Sequence, residues 1–245
     1  MIRYRKRFSI VNTYENWFEY KYSFSQLFLL NTYWHVKKQD KPAPPLVKNI
    51  SHTIELDLLQ PDDSIQSGFS KQIRQQFKIA ENEGITCMFN PGLDEFIAFF
   101  NEFAAIKNTR NVGKLNRALL EEIGDQIVLC FAMYNGQPLA AHSYLVDKNI
   151  GIVRHQHSAT KRFDENFDRN LIGRANKYLT VKNILHFKQQ GLQVFDFGGY
   201  AANTTDESLL GINKYKLLFG GTVVESVNYS SYPQWILKKV MNLVR

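Results

Sequence analysis

Apolar and polar residues alternate most clearly in the middle of this chain of 245 residues. The run "QIVLCFAMY" is followed by "NG" and then by "QPLAAHSYLV". Asn135-Gly136 supplies the two positive-φ positions of a tight turn, so we predict a β-hairpin here. The run "IGIVRHQHSA" then predicts a third strand, which extends the hairpin into an antiparallel meander.

Other stretches repeat their apolar residues at helical spacing. "SKQIRQQFKIAENEG" has a possible cap at Ser70 and a stop at Gly84. A long helix is predicted from about Leu171 to Gln190, with Gly191 after it. "GLDEFIAFFNEFAAIKN" predicts an amphipathic helix. Its apolar positions lie three or four apart: Phe96, Phe99, Phe100, Phe103 and Ile106.

From about Ile85 the predicted order is β, α, α, β, β, β, α, β, α, β. A meander that leads into a helix and a strand predicts a mixed sheet with helices packed on it. Upstream, "QLFLLNTYWHV" and "HTIELDLL" predict strands, and the proline-rich "KPAPPL" predicts a connector. We predict an N-terminal portion over residues 1–84, packed on an α/β domain over residues 85–245 that includes a C-terminal helix.

Composition narrows the class of protein. Hydrophobic residues make up 44% of the chain, yet no run approaches the roughly 20 apolar residues of a membrane-spanning helix. Cys87 and Cys130 lie within apolar, strand-like runs. They predict buried, reduced thiols of a cytoplasmic protein, in preference to a disulfide or a metal pair. We therefore expect no metal site.

The net charge of +7 is concentrated at one end of the chain. Residues 1–50 hold nine Lys and Arg against three acids, and the rest hold 21 against 20. The basic segment fits a polyanion or an acidic membrane surface, or it serves solubility and local pairing. In "YPQWILKKVMNLVR", Ile236, Val240 and Val244 recur every four residues beside lysines. We expect this helix to dock on the core, with peripheral membrane contact as the alternative.

Four stretches carry a resemblance to a known family. In chain order they are "LDLLQPDDSIQSGFSKQIRQQFKIAENEGI", "GQPLAAHSYLV", "LTVKNILHFKQQGLQVFDFGG" and "GINKYKLLFGG". Together they resemble the GNAT acyltransferase superfamily, and most closely its Fem-like branch of peptidoglycan-bridge aminoacyltransferases and related acetyltransferase domains. The resemblance implies a GNAT-like, mixed, mostly antiparallel sheet flanked by helices. Members of this branch commonly contain two such units, whereas this chain holds one complete unit.

The resemblance also implies a donor site at "NLIGRA". The superfamily places a Gln/Arg-x-x-Gly-x-Gly/Ala loop for coenzyme A here, and Asn170, Gly173 and Ala175 occupy its positions. A helix N-terminus offers unpaired N–H groups to a pyrophosphate, and Arg169 and Arg174 would add charge-assisted contacts. We predict acyl-CoA binding by these five residues. The alternative is that Gly173 permits close packing of the helix on the sheet.

Two histidines of the third predicted strand are candidate catalytic residues. His155 and His157 are two positions apart, so strand periodicity predicts that they share one face. Two imidazoles beside a cleft would act as a base or bind an anionic acceptor. Alternatively, they are solvated or hydrogen-bonded strand residues.

Three further candidates follow the strand "LQVFDFGG". Asp196 comes after buried residues and must be paired, so it either ties down the Gly198-Gly199 corner or faces the substrate. The resemblance implies a tyrosine near the next helix as general acid to the leaving group. Tyr215 is the first candidate for this role and Tyr200 the second.

These features predict an N-acyltransferase that moves an acyl group from acyl-CoA to an amine. The candidate acceptor is a small molecule, glycan or peptide, such as a saccharide of the bacterial cell envelope or a peptidoglycan precursor. One alternative is an aminoacyltransferase that uses aminoacyl-tRNA, to which the basic N-terminal segment is electrostatically suited. The other is a non-catalytic binding protein that retains the fold.

Overall fold

A computed structural model describes residues 1–8, 11–20, 24–36, 46–107 and 113–243. The strands are β1 Ile2–Phe8, β2 Val11–Trp17, β3 Asn31–Val36, β4 Val47–Asp57, β5 Thr86–Phe89, β6 Ile127–Tyr134, β7 Gln137–Asp147, β8 Ile152–Thr160, β9 Val194–Tyr200 and β10 Thr222–Ser230. The α-helices are α1 Asp62–Gly68, α2 Lys71–Asn82, α3 Leu93–Lys107, α4 Arg117–Ile123, α5 Arg169–Gln189, α6 Glu207–Leu217 and α7 Tyr232–Leu243. Short 3₁₀ helices span Phe24–Phe28 and Gly124–Gln126.

The strands form one mixed sheet in the order β1-β2-β3-β10-β4-β9-β8-β7-β6-β5. The pairs β2–β3 and β8–β9 are parallel and the others are antiparallel. The predicted order of elements from Ile85 onward is confirmed, as is the α/β class with a mostly antiparallel sheet. The Asn135-Gly136 hairpin is also present, with positive φ at both residues.

Helices cover both faces of this sheet. In β6, Cys130 packs into the cluster that contains α2 and α5, whereas Phe131 packs into the cluster that contains α3 and α4. Successive strand residues point to opposite faces, so β6 and its neighbour β7 are buried on both sides. Cys87 and Cys130 are free thiols, and burial raises the pKa of Cys87 to about 12.

Residues on both sides of position 84 contribute to the same core. Ile54 of β4 and Ile73 of α2 pack in the cluster that holds Leu179 and Phe195. The boundary predicted at residue 84 therefore crosses a continuous sheet and core, and it stays a prediction about domain organisation. The connector "KPAPPL" lies outside the described residues except for Leu46.

One prediction about the ends of the chain is wrong, and a second holds for the helix but not for the face that docks. "QLFLLNTYWHV" is not one strand, because its first part belongs to the 3₁₀ helix Phe24–Phe28 and only Asn31–Val36 is extended. In α7, Ile236 and Val240 do not dock on the core, since they are 53% and 51% exposed. The opposite face of α7 packs inward, with Gln234 buried and Lys238 Nζ 3.2 Å from Thr32 Oγ1. Val244 lies outside the described residues.

Candidate functional site

The two parallel strands β8 and β9 separate part-way along the sheet. They pair from Ile152–Val194 as far as Arg154–Asp196. Beyond that point β8 stays paired with β7, whereas β9 stays paired with β4 as far as Tyr200. The sheet therefore opens between the second half of β8 and the end of β9. We call this opening the splay.

A buried ion pair marks the closed end of the splay. Arg154 Nη1 lies 2.5 Å from Asp196 Oδ2, and both side chains are buried. Thr53 Oγ1 and the backbone N–H of Gly198 donate to Asp196 Oδ1, the latter over 2.8 Å. Burial acts to raise the pKa of Asp196, but Arg154, His35 and these hydrogen bonds outweigh it and hold the pKa below its ordinary value. Asp196 thus ties down the glycine corner.

The corner itself requires glycine at one position. Gly198 has φ of +85°, and a Cβ atom there would lie 3.3 Å from His155 O. Lys216 of α6 reaches the same corner and donates from Nζ to Gly199 O over 2.6 Å. Burial, followed by the charge of Arg154, lowers the pKa of Lys216 to about 8. An ammonium group that loses its proton readily therefore stands beside the splay.

Tyr215, the neighbour of Lys216, belongs to a chain of hydrogen bonds. Asn176 Nδ2 of α5 donates to Tyr215 Oη over 2.9 Å, and Thr180 Oγ1 lies 3.4 Å from the same oxygen. Burial raises the pKa of Tyr215 to about 12. The phenol therefore keeps its proton at neutral pH.

The chain continues into the core through His142. Its Nε2 lies 2.8 Å from Asn176 Oδ1, and its Nδ1 lies 3.1 Å from Tyr144 Oη. Asn183 Nδ2 donates to Tyr144 Oη over 2.9 Å. Burial lowers the pKa of His142 to about 4, so the ring is neutral. With its proton on Nε2, the His142 ring donates to Asn176 Oδ1 and accepts from Tyr144 Oη at Nδ1. The Asn176 amide is thereby oriented with Nδ2 toward Tyr215.

The structure separates the two histidines that strand periodicity placed on one face. His155 is opposite Tyr144 and His157 is opposite Ser143, so Gln156 is an extra residue that forms a β-bulge. His155 stacks on Tyr144 on the α5 side, whereas His157 contacts the ring of Phe100 on the α3 side. The prediction of a shared face is therefore wrong. Burial lowers both pKa values, to about 4 for His157, so both rings are neutral at neutral pH.

The predicted donor residues lie in the first two turns of α5. Asp168 caps this helix, and its carboxylate accepts from the N–H groups of Asn170 and Leu171 over 3.1 and 3.2 Å. Arg174 is held by Glu83 through two short contacts, Nε–Oε2 at 2.7 Å and Nη2–Oε1 at 2.5 Å. Two of the helix N–H groups and one of the two arginines are thus already paired within the protein.

The remaining residues of "NLIGRA" are ordinary helical positions. Ala175 is buried in the core, and Arg169 and Asn170 are exposed. A Cβ atom at Gly173 would meet only Lys177 Nζ, 3.9 Å away. The alternative interpretation of Gly173 is wrong, because α5 does not approach the sheet closely at this position. Phosphate binding by these residues stays a prediction.

Tyr200, the second candidate acid, lies at the end of β9 opposite His52 of β4. His155 thus lies at the splay beside the corner that Asp196 holds, whereas Tyr215 is linked to His142 of β7 through Asn176. His157 lies on the other face, and the α5 residues Arg169 to Ala175 form a separate group at the start of that helix.

Sequence reasoning missed Lys216 and the polar side chains of α5. Asn176, Thr180 and Asn183 lie four and three residues apart on the inner face of the helix. Polar residues at helical spacing within an apolar face were the available signal, because buried amides and hydroxyls require partners. For Lys216 a lysine on a short helix gave no such signal, since its burial depends on how α6 packs against β9.

No protein-family model matches the chain, and no curated protein matches it in sequence. Solved structures do match. The crystal structure of FemX is 10% identical, with a TM-score of 0.66 over 96% of this chain and 85% of that one. The C-terminal domain of a proposed lysylphosphatidylglycerol synthetase from Agrobacterium fabrum is 12% identical, with a TM-score of 0.56 over 88% and 72%. L-PGS from Bacillus licheniformis is 12% identical, with a TM-score of 0.54 over 87% and 72%.

These similarities define the fold. The chain shares the fold of FemX, in agreement with the resemblance that its four motifs carry. At such low identity they leave the reaction to be argued from the site itself.

Proposed function

We propose that the protein is an aminoacyltransferase that transfers an acyl group from an aminoacyl ester of tRNA to an amine within the splay. The observation that carries the proposal is that two consecutive residues of α6 make polar contacts around the splay. Lys216 Nζ donates to Gly199 O of β9, and Tyr215 Oη accepts from Asn176 of α5. An opening between strands exposes backbone groups that hold an acyl arm, and the two side chains supply a cation and a proton donor beside it.

The chemistry needs one bond formed and one broken. The acceptor nitrogen attacks the ester carbonyl, which forms the C–N bond. The C–O bond to the ribose then breaks. The ammonium of Lys216 stabilises the negative charge that develops on the carbonyl oxygen. Tyr215 gives its proton to the departing ribose oxygen and regains one from the attacking amine, so no proton is gained or lost overall.

Two observations favour an aminoacyl ester over acyl-CoA as the donor. The carboxylate of Asp168 occupies the start of α5 and would oppose a pyrophosphate there. Glu83 already holds Arg174. An aminoacyl ester needs no anion site at this helix, and the basic N-terminal segment suits a polyanionic RNA. Acyl-CoA is the alternative donor.

For the acceptor we propose an amine of a cell-envelope saccharide or of a peptidoglycan precursor. FemX, the C-terminal domain of the proposed lysylphosphatidylglycerol synthetase and L-PGS share the fold over most of this chain. The motifs of the chain also resemble the Fem-like branch. We place the reaction in the cytoplasm, on the support of the free thiols Cys87 and Cys130.

A donor comparison tests the proposal. The protein is incubated with radiolabelled aminoacyl-tRNA or acyl-CoA and a panel of amines, and amide formation is measured. We expect amide from aminoacyl-tRNA, loss of activity in Lys216→Met, and retention in the control Lys214→Met, which changes an exposed lysine of the same helix.

The other outcomes separate the alternatives. Amide formed only from acyl-CoA would overturn the choice of donor and keep the reaction. If neither donor yields product with any acceptor, the proposal fails in favour of a binding protein that retains the fold.

A further inference from the structure

An apolar surface lies at one end of the molecule, where α7 packs beside the 3₁₀ helix Phe24–Phe28. Ser231 Oγ, just before α7, donates to Leu29 O over 2.6 Å and joins the two elements. The exposed apolar residues of these elements form what we call the end surface. They are Phe24 at 78%, Phe28 at 67%, Leu29 at 38%, Tyr232 at 57%, Ile236 at 53% and Val240 at 51% exposure.

The exposed face of α7 is regular. Tyr232, Ile236 and Val240 recur every four residues, so they form one stripe along the helix. Phe24 and Phe28 have the same spacing, and their rings contact edge to face with centroids 5.3 Å apart. Exposed apolar side chains grouped on two neighbouring elements are typical of an interaction surface.

Two exposed lysines lie at this end of the molecule, Lys48 near the start of β4 and Lys239 on α7. Lys238 instead reaches inward to Thr32, near Glu15 of β2. Lys239 lies with Nζ 4.1 Å from the centroid of the Trp235 ring. An apolar stripe with an exposed lysine, Lys239, and the Trp235 ring beside it suits the interface of an anionic bilayer.

We propose that the end surface docks the protein on a bilayer that contains anionic lipid. Among the described residues no helix is long and apolar enough to cross a membrane. A second copy of the chain is a poorer occupant, because a two-fold interface through this patch would bring the same lysines face to face.

The fold gives this docking a direction. β9 runs antiparallel to β4, and the start of β4, Val47, pairs with Ser230 immediately before α7. The splay therefore opens toward the end of the sheet that carries the end surface. A docked protein would present this opening to the lipid surface.

Vesicle co-sedimentation of the whole chain tests the proposal. The probes are phosphatidylcholine vesicles with and without phosphatidylglycerol. We expect binding that requires phosphatidylglycerol and weakens with salt. The double variant Ile236→Asp, Val240→Asp should lose about tenfold or more in affinity. It removes exposed aliphatic side chains that docking would bury, and it adds negative charge facing an anionic lipid. Lys239→Gln should lose about fivefold.

The matched control is Leu59→Asp. Leu59 is 70% exposed and follows β4 at the opposite end of that strand, so it should bind as the wild type does. Phe24→Ser, Phe28→Ser is a second variant that leaves α7 intact, and thermal melting checks the folding of each variant. The proposal is overturned by equal binding of the variants and Leu59→Asp, or by no binding to phosphatidylglycerol vesicles. A wild-type dimer that the Ile236 and Val240 changes abolish would also overturn it, since it would make the end surface a subunit interface.

Discussion

The glycine corner at the splay and the start of α5 both have a glycine beside charged residues, yet their surroundings differ. At the corner, Gly198 adopts a left-handed conformation against His155 O, and a buried ion pair fixes it. At the start of α5, Gly173 has open space around it, and Asp168 caps the helix. A steric and conformational need for glycine is therefore better evidence of a functional site than a glycine that only matches a sequence motif.

The largest expected effect concerns the ion pair under the corner. Asp196→Asn removes the partner of buried Arg154, and leaving a charge uncompensated in the core costs about 3–5 kcal/mol in the free energy of unfolding. Urea unfolding measures the loss, with the exposed Asp125→Asn as a control that should stay within about 0.5 kcal/mol.

The same variant has a pH signature. The pKa of Asp196 is lowered in the folded state, so its contribution is present above the ordinary carboxyl pKa and is lost as the pH falls through the folded value. The difference in stability between wild type and Asp196→Asn should therefore shrink in acid. A difference that is small at neutral pH would contradict the account of the corner.

The next effect separates two adjacent glycines. Gly198→Ala places a side chain at φ of +85° and 3.3 Å from His155 O, which should cost about 1–3 kcal/mol of stability. Gly199→Ala is the control, because its Cβ would meet nothing within 4 Å. Thermal or urea unfolding of both variants gives the comparison. Equal stability of the two variants would show that the corner is not constrained.

The next prediction concerns the pH dependence of the transfer rate, where the expected effect is smaller than the losses of stability above. If Lys216 acts as an ammonium, transfer slows as the pH rises through about 8, by about tenfold per unit well above that value. Lys216→Arg keeps its positive charge over this pH range. The transfer rate of this variant should therefore not depend on pH here, even if the rate itself differs from that of the wild type. An unchanged falling limb in Lys216→Arg would assign the ionisation to another group.

The smallest effect belongs to the start of α5. Gly173→Ala adds a side chain in open space within a helix, which should stabilise the protein by about 0.5–1 kcal/mol. Unfolding measurements check the sign, and the transfer rate should not change. A loss of donor binding in this variant would instead support the predicted pyrophosphate site.

Much of the fold was legible in the sequence because its signals are local. The Asn135-Gly136 turn, the Phe-rich helix α3 and the strand before Gly198 each depend on neighbours in the chain. The bulge at Gln156 could not be predicted, since nothing in the polar run "RHQHSA" marks an extra residue and it appears only in the pairing with β7. The exposure of the apolar face of α7 could not be predicted for a similar reason. Periodicity identifies an apolar stripe on a helix, but it does not show which face of the helix packs on the core.

The candidate site was only partly predictable. Tyr215 came from the family resemblance, whereas Lys216 and the α5 side chains depend on burial that tertiary packing creates. Asp196 was recognised as a residue that needs a partner, but its partner Arg154 lies 42 residues away on a neighbouring strand. Pairing across strands of this kind is set by sheet order, which one sequence does not determine.

Transfer at the splay should not depend on the start of α5. Single-turnover transfer from aminoacyl-tRNA can be measured for Lys216→Met, for Asn170→Ala and for the wild type. We expect a loss of about hundredfold or more for Lys216→Met and a change within about twofold for Asn170→Ala. A large loss in Asn170→Ala, with Lys216→Met near wild type, would instead place the reaction at the start of α5.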